Sequence, residues 1–347
     1  MSQGIHKLLK TPQGISSLKK RMPLIIAAAA LLLFSGLFLF LYFYNDTLRF
    51  HHMTEEFFAE AFRQDSLSLH YTLAEPSDYL QKPSPATLPL YSRQSRQEAA
   101  AALENQLLIL QEINPERLNQ QDRYTWSLLV PYLENELAGA RCEYYEEPLT
   151  PSSGMQSQLP VLLAEYSFRT KEDLEDYLEI LESVPAYLES LAQYEKEKAN
   201  AGLFMTKSDA SNIVKQCDTI MDPDLLSAGE HFLQTTFQER AEALVQEGLL
   251  TGEEMELYIA ENNRILTTLV APAYIALADA VFLLSGSGTH EGGLCELPSG
   301  GAYYLYLLRH NTGTSRTPEE IQVLLSDRFQ LCYQNLQALV ETYREQT

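Results

Sequence analysis

Apolar and polar positions fall into two patterns along this chain. The first is an unbroken run: Pro23 to Tyr44, PLIIAAAALLLFSGLFLFLYFY, holds 22 residues without a charge. As a helix rising 1.5 Å per residue it measures about 33 Å, enough to cross a hydrocarbon core of roughly 30 Å. The second pattern has the period of an amphipathic helix and fills most of the remainder. Ser95–Ile113 carries Leu103, Leu107 and Leu110 on one stripe, and Asp122–Ala138 carries Trp126, Leu129, Leu133 and Leu137 around Pro131. Glu147–Pro160 is rich in Pro, Ser and Gly and predicts a loop. Thr170 opens a helix with Leu174, Tyr177, Leu178, Leu181, Leu188 and Leu191, bent at Pro185. A turn at Asp222-Pro223-Asp224 precedes a helix over 228–247.

Two helix starts are explicit. Thr251 with Glu254 forms a capping box, and a long apolar helix runs from there to about Leu284. Thr317-Pro318-Glu319-Glu320 places a cap, then proline at the first helical position, then an acidic first turn. Its helix reaches nearly to Thr347. Strand alternation is scarce, and only 294–297 suggests a short hairpin, around Pro298-Ser299-Gly300-Gly301. The fold class read from these patterns is mostly α. The domain organisation is a tail over 1–22, a transmembrane helix over 23–44 and a helical ectodomain over 45–347.

Charge sets the orientation. The chain carries 47 acidic against 25 basic side chains, a formal net charge of −22. Residues 1–22 hold Lys7, Lys10, Lys19, Lys20 and Arg21 and no acid, which leaves −27 on residues 23–347. A basic flank before the span puts residues 1–22 in the cytoplasm and the body outside, in a cell membrane crossed once. Tyr42 and Tyr44 suit the outer interface. A cleaved signal peptide is the competing reading, but the run exceeds the usual apolar core of such peptides and lacks a small-x-small site after it. A body this acidic argues against nucleic acid as a partner.

The common catalytic motifs fail one by one. His290-Glu291 would need a second His at 294, where Leu stands, so no helical zinc motif forms. His51-His52 reads as a solvated pair beside the membrane. Gly286-Ser287-Gly288 lacks the flanking glycines of a nucleophile elbow and reads as a loop. Cys142, Cys217, Cys295 and Cys332 contain no Cys-x-x-Cys pair, and both disulfides and buried thiols are open to them. Acidic pairs such as Glu146-Glu147, Glu253-Glu254 and Glu319-Glu320 are explained by helix starts and solvated faces. No residue is thereby assigned to catalysis or to a metal.

An ordered series of segments names a family. It comprises Leu69-His70-Tyr71-Thr72-Leu73 with Pro76, then Glu147–Pro151, Gln158–Tyr166, Tyr194–Lys198 with Ala201–Met205, and Val270–Tyr274. It closes with Gly292–Gly300, Ala302-Tyr303-Tyr304, Leu308-Arg309 and Thr312–Ile321. This order resembles the DUF885 family of bacterial proteins, in its membrane-anchored or secreted branch, over about residues 50–345. The resemblance implies a helical fold similar to zinc metallopeptidases of the carboxypeptidase type, whose helices wall a long cleft and whose complete members hydrolyse peptides. It also implies a His-Glu-x-x-Pro-Gly-His-type metal motif C-terminal to the Gly-Leu-x-x-Leu-Pro-x-Gly region, and residues 1–347 contain none. The expectation is therefore an N-terminal, incomplete portion of such a protein. Zinc is expected only in complete members and no cofactor in this chain.

Within that resemblance Gly293–Arg309 is the expected cleft lining. Tyr303 and Tyr304 would donate hydroxyl hydrogen bonds and Arg309 would meet a substrate carboxylate. The competing reading packs both tyrosines in an amphipathic core and leaves Arg309 a solvated or structural charge. The functional expectation is a membrane-anchored, extracytoplasmic protein that is not catalytic as an isolated chain. The alternatives are an envelope module that binds a peptide ligand, or half of a split enzyme whose C-terminal half is supplied separately.

Overall fold

The structure is a computed structural model that describes residues 26–38, 45–63, 65–76, 85–288 and 292–346. The basic tail, both ends of the predicted span and the His290-Glu291 pair lie outside these residues. Helix α1 (Ile26–Phe38) is an apolar helix within the predicted span, and every residue in it is exposed.

The body is mostly helical, and no strand occurs among the described residues. Its helices are α2 (Asp46–Ala61), α3 (Ser66–Thr72), α4 (Arg93–Glu112), α5 (Gln120–Ala140), α6 (Met155–Glu165), α7 (Lys171–Asn200), α8 (Lys207–Ile220), α9 (Pro223–Ala228), α10 (Phe232–Gln246), α11 (Gly252–Ile265), α12 (Ala271–Leu284), α13 (Gly300–Thr312) and α14 (Pro318–Gln346).

Helix α7 is the axis. Thr170 and Asp173 close a reciprocal capping box at its start. Buried residues then recur at three- and four-residue spacing from Leu174 through Leu181, Leu188 and Leu191 to Lys198. Pro185 removes one backbone donor, yet the helix runs unbroken because packing on both sides of that turn outweighs a single lost bond. Helix α12 packs along α7 and α8, while α6 bridges α8 and α10. Leu159, Leu188, Leu233, Phe237, Val270 and Val281 meet in this main core.

Helices α4 and α5 form a hairpin through a 3-10 turn at Pro115–Arg117. With α2 they close a second, smaller cluster around Phe50, Met53, Leu110 and Leu133. The Trp126 indole N–H donates to the Leu110 carbonyl at 3.0 Å and fixes the pairing. Helix α13 lies against α5. Gly139 allows that approach, because a Cβ there would stand 2.5 Å from the Tyr306 ring.

Several predicted elements change shape. Met155–Glu165 is a helix although it lies in the predicted Pro- and Ser-rich loop, and Pro160 sits buried within it. Asp222 caps a short helix, and Gly229 in the left-handed region ends it before α10 begins at Phe232. The hairpin expected around 294–301 is instead a 3-10 turn over Gly293–Glu296 running into α13. A Cβ on Gly300 would fall 1.5 Å from the Leu294 carbonyl oxygen, so glycine is what lets the turn close onto the helix start.

The helix predicted from Thr251 to Leu284 forms, with a π turn at Leu266–Val270. Pro272 offers no N–H, and the Thr267 and Thr268 hydroxyls donate to the Asn263 and Arg264 carbonyls at 2.7 Å. This segment is long and apolar enough to cross a membrane, but its α12 half is packed into the main core.

Burial along α7 and exposure of α14 make opposite predictions for two leucines. Leu191→Ala, at 0 % exposure, should destabilise the detergent-solubilised chain by about 2–5 kcal/mol. Leu336→Ala, at 60 % exposure on α14, should stay within about 0.5 kcal/mol. Urea unfolding of both variants checks the contrast, and equal losses would mean that α14 is packed.

Candidate functional site

Three segments far apart in sequence meet at one place on the body. The first is the connection from α5 to α6, residues 141–154. The second is the C-terminal third of α7, and the third is the start of α13. The connection is held open by Tyr144, which adopts a left-handed φ of 69° without being glycine. Its far end is fixed by amides. Gln156 donates to the Thr150 carbonyl at 2.6 Å and to Gln216, whose own amide donates to the Pro151 carbonyl at 2.7 Å.

From α7, the Lys198 ammonium and the Tyr194 hydroxyl both donate to the Glu146 backbone carbonyl, at 2.9 and 3.2 Å. The Glu146 carboxylate accepts from the Tyr91 hydroxyl. Arg96 lays its guanidinium 4.4 Å from the Tyr194 ring centre, with the Tyr144 and Tyr91 rings at 5.4 and 5.7 Å. From α13, the Ser299 backbone N–H donates to the Tyr145 hydroxyl at 2.8 Å, and the Tyr303 ring stands 5.3 Å from Tyr145.

Glu195 lies beneath this surface, fully buried, with no hydrogen bond to either carboxylate oxygen among the described residues. Lys198 is 3.8 Å away, but its ammonium is turned to the Glu146 carbonyl. Burial therefore dominates and pushes the Glu195 carboxyl up to about 7, with Lys198 pulling it down and Glu147 adding to the rise. A carboxyl titrating near neutrality beside an ammonium can exchange a proton at physiological pH. Burial also raises the Tyr91, Tyr194 and Tyr303 phenols, with the Glu146 charge as the next cause, so these hydroxyls stay protonated donors.

The three residues expected to line a cleft separate on α13. Tyr303 is buried and sits with Tyr145 and Tyr306. Tyr304 and Arg309 are exposed, and neither side chain has a partner among the described residues. One turn beyond Tyr306, His310 meets Glu136 of α5 at 2.8 Å, and Tyr306 donates to the same carboxylate at 3.3 Å. His310, Glu136, Glu195 and Lys198 were not singled out by sequence reasoning. The last two stand inside the Tyr194–Lys198 segment and are marked only by being charged at positions of the buried α7 stripe.

A second concavity is lined by Ser66, Leu69, His70, Pro76, Ala86, Tyr166, Arg169, Asp173 and Asp176. Its chemistry is spent on structure. The His70 ring stacks on Tyr166 at 3.6 Å, and its Nε2 accepts from the Ser167 N–H at 3.3 Å. Asp173 caps α7, and Arg169 donates to the Ala74 and His70 carbonyls. His51 and His52 are exposed as expected, and His51 also pairs with Asp122 at 2.9 Å. The four cysteines are free thiols, with Cys217 buried.

No group of three His, Cys, Asp or Glu side chains is arranged to hold a metal ion among the described residues.

These helices, packed around α7 with a tyrosine-lined charged cluster at one end, define an all-helical class. The chain belongs to the family described as "Bacterial protein of unknown function (DUF885)", whose sequence profile matches residues 79–347. Among solved structures it is similar to one described as a "putative lipoprotein" from Colwellia psychrerythraea, with a TM-score of 0.69 at 16 % identity. That likeness shows the shared fold. It covers 81 % of this chain and 49 % of the other, so the chain spans about half the length of that relative. No curated protein matches the sequence.

The buried carboxyl sets a pH dependence whose sign is fixed. The unfolded Glu195 titrates near 4.5 and the folded one near 7. Between those values the folded chain holds a proton that the unfolded chain has released, so this group's contribution falls as pH rises from about 4.5 to about 7. Glu195→Gln mimics the protonated form. Relative to the unsubstituted chain it should be neutral at pH 5 and more stable at pH 8, by up to about 3 kcal/mol. Thermal unfolding at both pH values checks this, and an equal loss at each would mean that the carboxylate is not paying for burial.

Proposed function

We propose that this protein is an extracytoplasmic, membrane-anchored member of its family whose helical body forms one wall of a peptide-binding cleft of the metallopeptidase type. In this reading the body binds and orients a peptide, while the zinc-bearing elements lie on sequence other than residues 1–347. The chain is not catalytic in isolation. The observation that carries the reading is the exposed face of α13. Among the described residues Arg309 offers an unpartnered guanidinium and Tyr304 an unpartnered hydroxyl, on a helix anchored from behind by Tyr303, Tyr306 and His310. A rigidly backed Arg is suited to a peptide's terminal carboxylate, which it can grip through two parallel N–H donors. The family membership, the likeness to a lipoprotein-described structure and the apolar α1 support the envelope location.

Full-length chain reconstituted in nanodiscs should bind short peptides with a free C-terminal carboxylate. Arg309→Ala should weaken that binding about tenfold, the worth of one charge-assisted bond, and Arg309→Lys should restore it only in part. Calorimetry with a peptide and its C-terminal amide makes the comparison, and equal affinity for the two would remove the carboxylate from the reading. The same preparation should carry well under one zinc per chain and show no chelator-sensitive peptidase activity. A phosphatase fused after Thr347 should be active on the outer side of the membrane, and activity only in the cytoplasm would reverse the orientation.

A further inference from the structure

Near its C-terminal end α7 sets one buried ammonium between two acceptors. Lys198 Nζ donates to the Glu146 backbone carbonyl at 2.9 Å and stands 3.8 Å from Glu195 Oε1. The two acceptors belong to different parts of the molecule. Glu146 lies on the α5–α6 connection, so a bond to its carbonyl ties that connection to α7. Glu195 lies one turn back on α7 itself, and a bond to it joins nothing beyond that helix. Neither Glu195 oxygen has a hydrogen bond among the described residues, so its carboxylate is open to the ammonium.

Charge on Glu195 decides which acceptor wins. A neutral carboxyl leaves Lys198 on the carbonyl. An ionised one, buried where water screens little, attracts the ammonium more strongly than a carbonyl dipole does. The Glu146 carbonyl then keeps only the Tyr194 hydroxyl at 3.2 Å, a neutral donor whose bond is about half as strong as a charge-assisted one. Repulsion acts in the same sense, because Glu147 on the connection disfavours a charge on Glu195 and is pushed outward by it in return.

The other groups nearby do not reverse this. Arg96 of α4 faces the Tyr194 ring and stands 3.6 Å from Glu197, and the Glu146 carboxylate accepts from Tyr91. Tyr303 of α13 stays a neutral phenol. Helix α12 carries one charged residue, Asp279, and it is exposed. The charges that α3 and α11 bring to α7, from His70 and Arg264, lie at its other end beside Asp173 and Glu182.

We infer that Glu195 and Lys198 form a proton-operated latch, in which loss of the Glu195 proton draws Lys198 off the Glu146 carbonyl and frees the α5–α6 connection together with the start of α13. The reach to α13 runs through Tyr145, next to Glu146, whose hydroxyl accepts the Ser299 N–H at 2.8 Å. With the buried carboxyl pushed up to about 7, the latch is closed in mild acid and opens as pH rises through neutrality. The inference concerns the body alone and does not depend on peptide binding.

Hydrogen–deuterium exchange of the full chain in nanodiscs, read as protection over the intrinsic rate at each pH, tests the latch. From about pH 5 to about pH 8 the amides of 142–155 and 292–303 should lose about tenfold in protection, beyond any change in α4. Glu195→Gln should keep both segments protected throughout. Glu147→Gln, at an exposed position, should move the midpoint of the loss to lower pH, because less repulsion then holds the proton on Glu195. A pair with a purely structural role would give no such shift. Constant protection in the unsubstituted chain, an equal loss in Glu195→Gln, an equal loss in α4, or a midpoint unmoved by Glu147→Gln would each overturn the inference. The unsubstituted chain and Glu147→Gln carry the test even where Glu195→Gln does not fold.

Discussion

Everything in this fold is measured from the burial of one 30-residue helix. Helix α7 does not owe its stability to propensity alone, since Pro185 interrupts its ladder and most helical stability in a folded protein comes from packing an apolar face. What holds it is a stripe of leucines and tyrosines covered from different sides by α3, α11 and α12. That stripe runs on past the apolar residues into Glu195 and Lys198. The same register that builds the core therefore carries two ionisable groups into it, and the place where they emerge is where the α5–α6 connection and α13 are pinned.

The cost of that arrangement is met locally. Lys198 finds a backbone carbonyl, Tyr194 shares it, and Arg96 covers the cluster with its flat face against three tyrosine rings. Glu195 has no hydrogen bond among the described residues and only the Lys198 ammonium at 3.8 Å, so it resembles a group held ready for a proton. Such networks also fix position. The connection turns through the left-handed Tyr144 just before the Glu146 carbonyl that accepts both donors, and the Tyr145 hydroxyl between them accepts the Ser299 backbone N–H at the start of α13.

Much of the helical order was legible because its signals are local. Thr170, Thr251 and Thr317 each cap as their spacing to an acidic partner requires. The errors share a different cause. Met155–Glu165 reads as loop because Pro160 and the preceding serines argue locally against a helix, yet Gln156, Leu159 and Leu163 are buried against neighbours far away in sequence. The 294–301 stretch looks like a hairpin because glycines and a proline mark a turn in either case; what decides is the Leu294 carbonyl pressed on Gly300. At the site, Tyr303, Tyr304 and Arg309 were visible as residue types, but which of them faces inward depends on Gly139 and α5. Glu195 continues the three- and four-residue spacing of the buried stripe from Leu188 and Leu191, a signal masked by the charged residues around it.

The two hydrophobic clusters also differ in how far apart their parts lie along the chain. Helices α4 and α5 meet across Pro115–Arg117, so their hairpin closes a short loop at small entropic cost. Helix α7 ends at Asn200, whereas its main partner α12 begins only at Ala271, with four other helices between them. Assembly is thus ordered by topology. The α4–α5 hairpin can form as soon as both its helices exist, while α7 must keep its apolar stripe covered by transient neighbours until α12 arrives. During that interval the long helix is the aggregation-prone species, and the speed at which residues 201–270 compact sets how long it lasts.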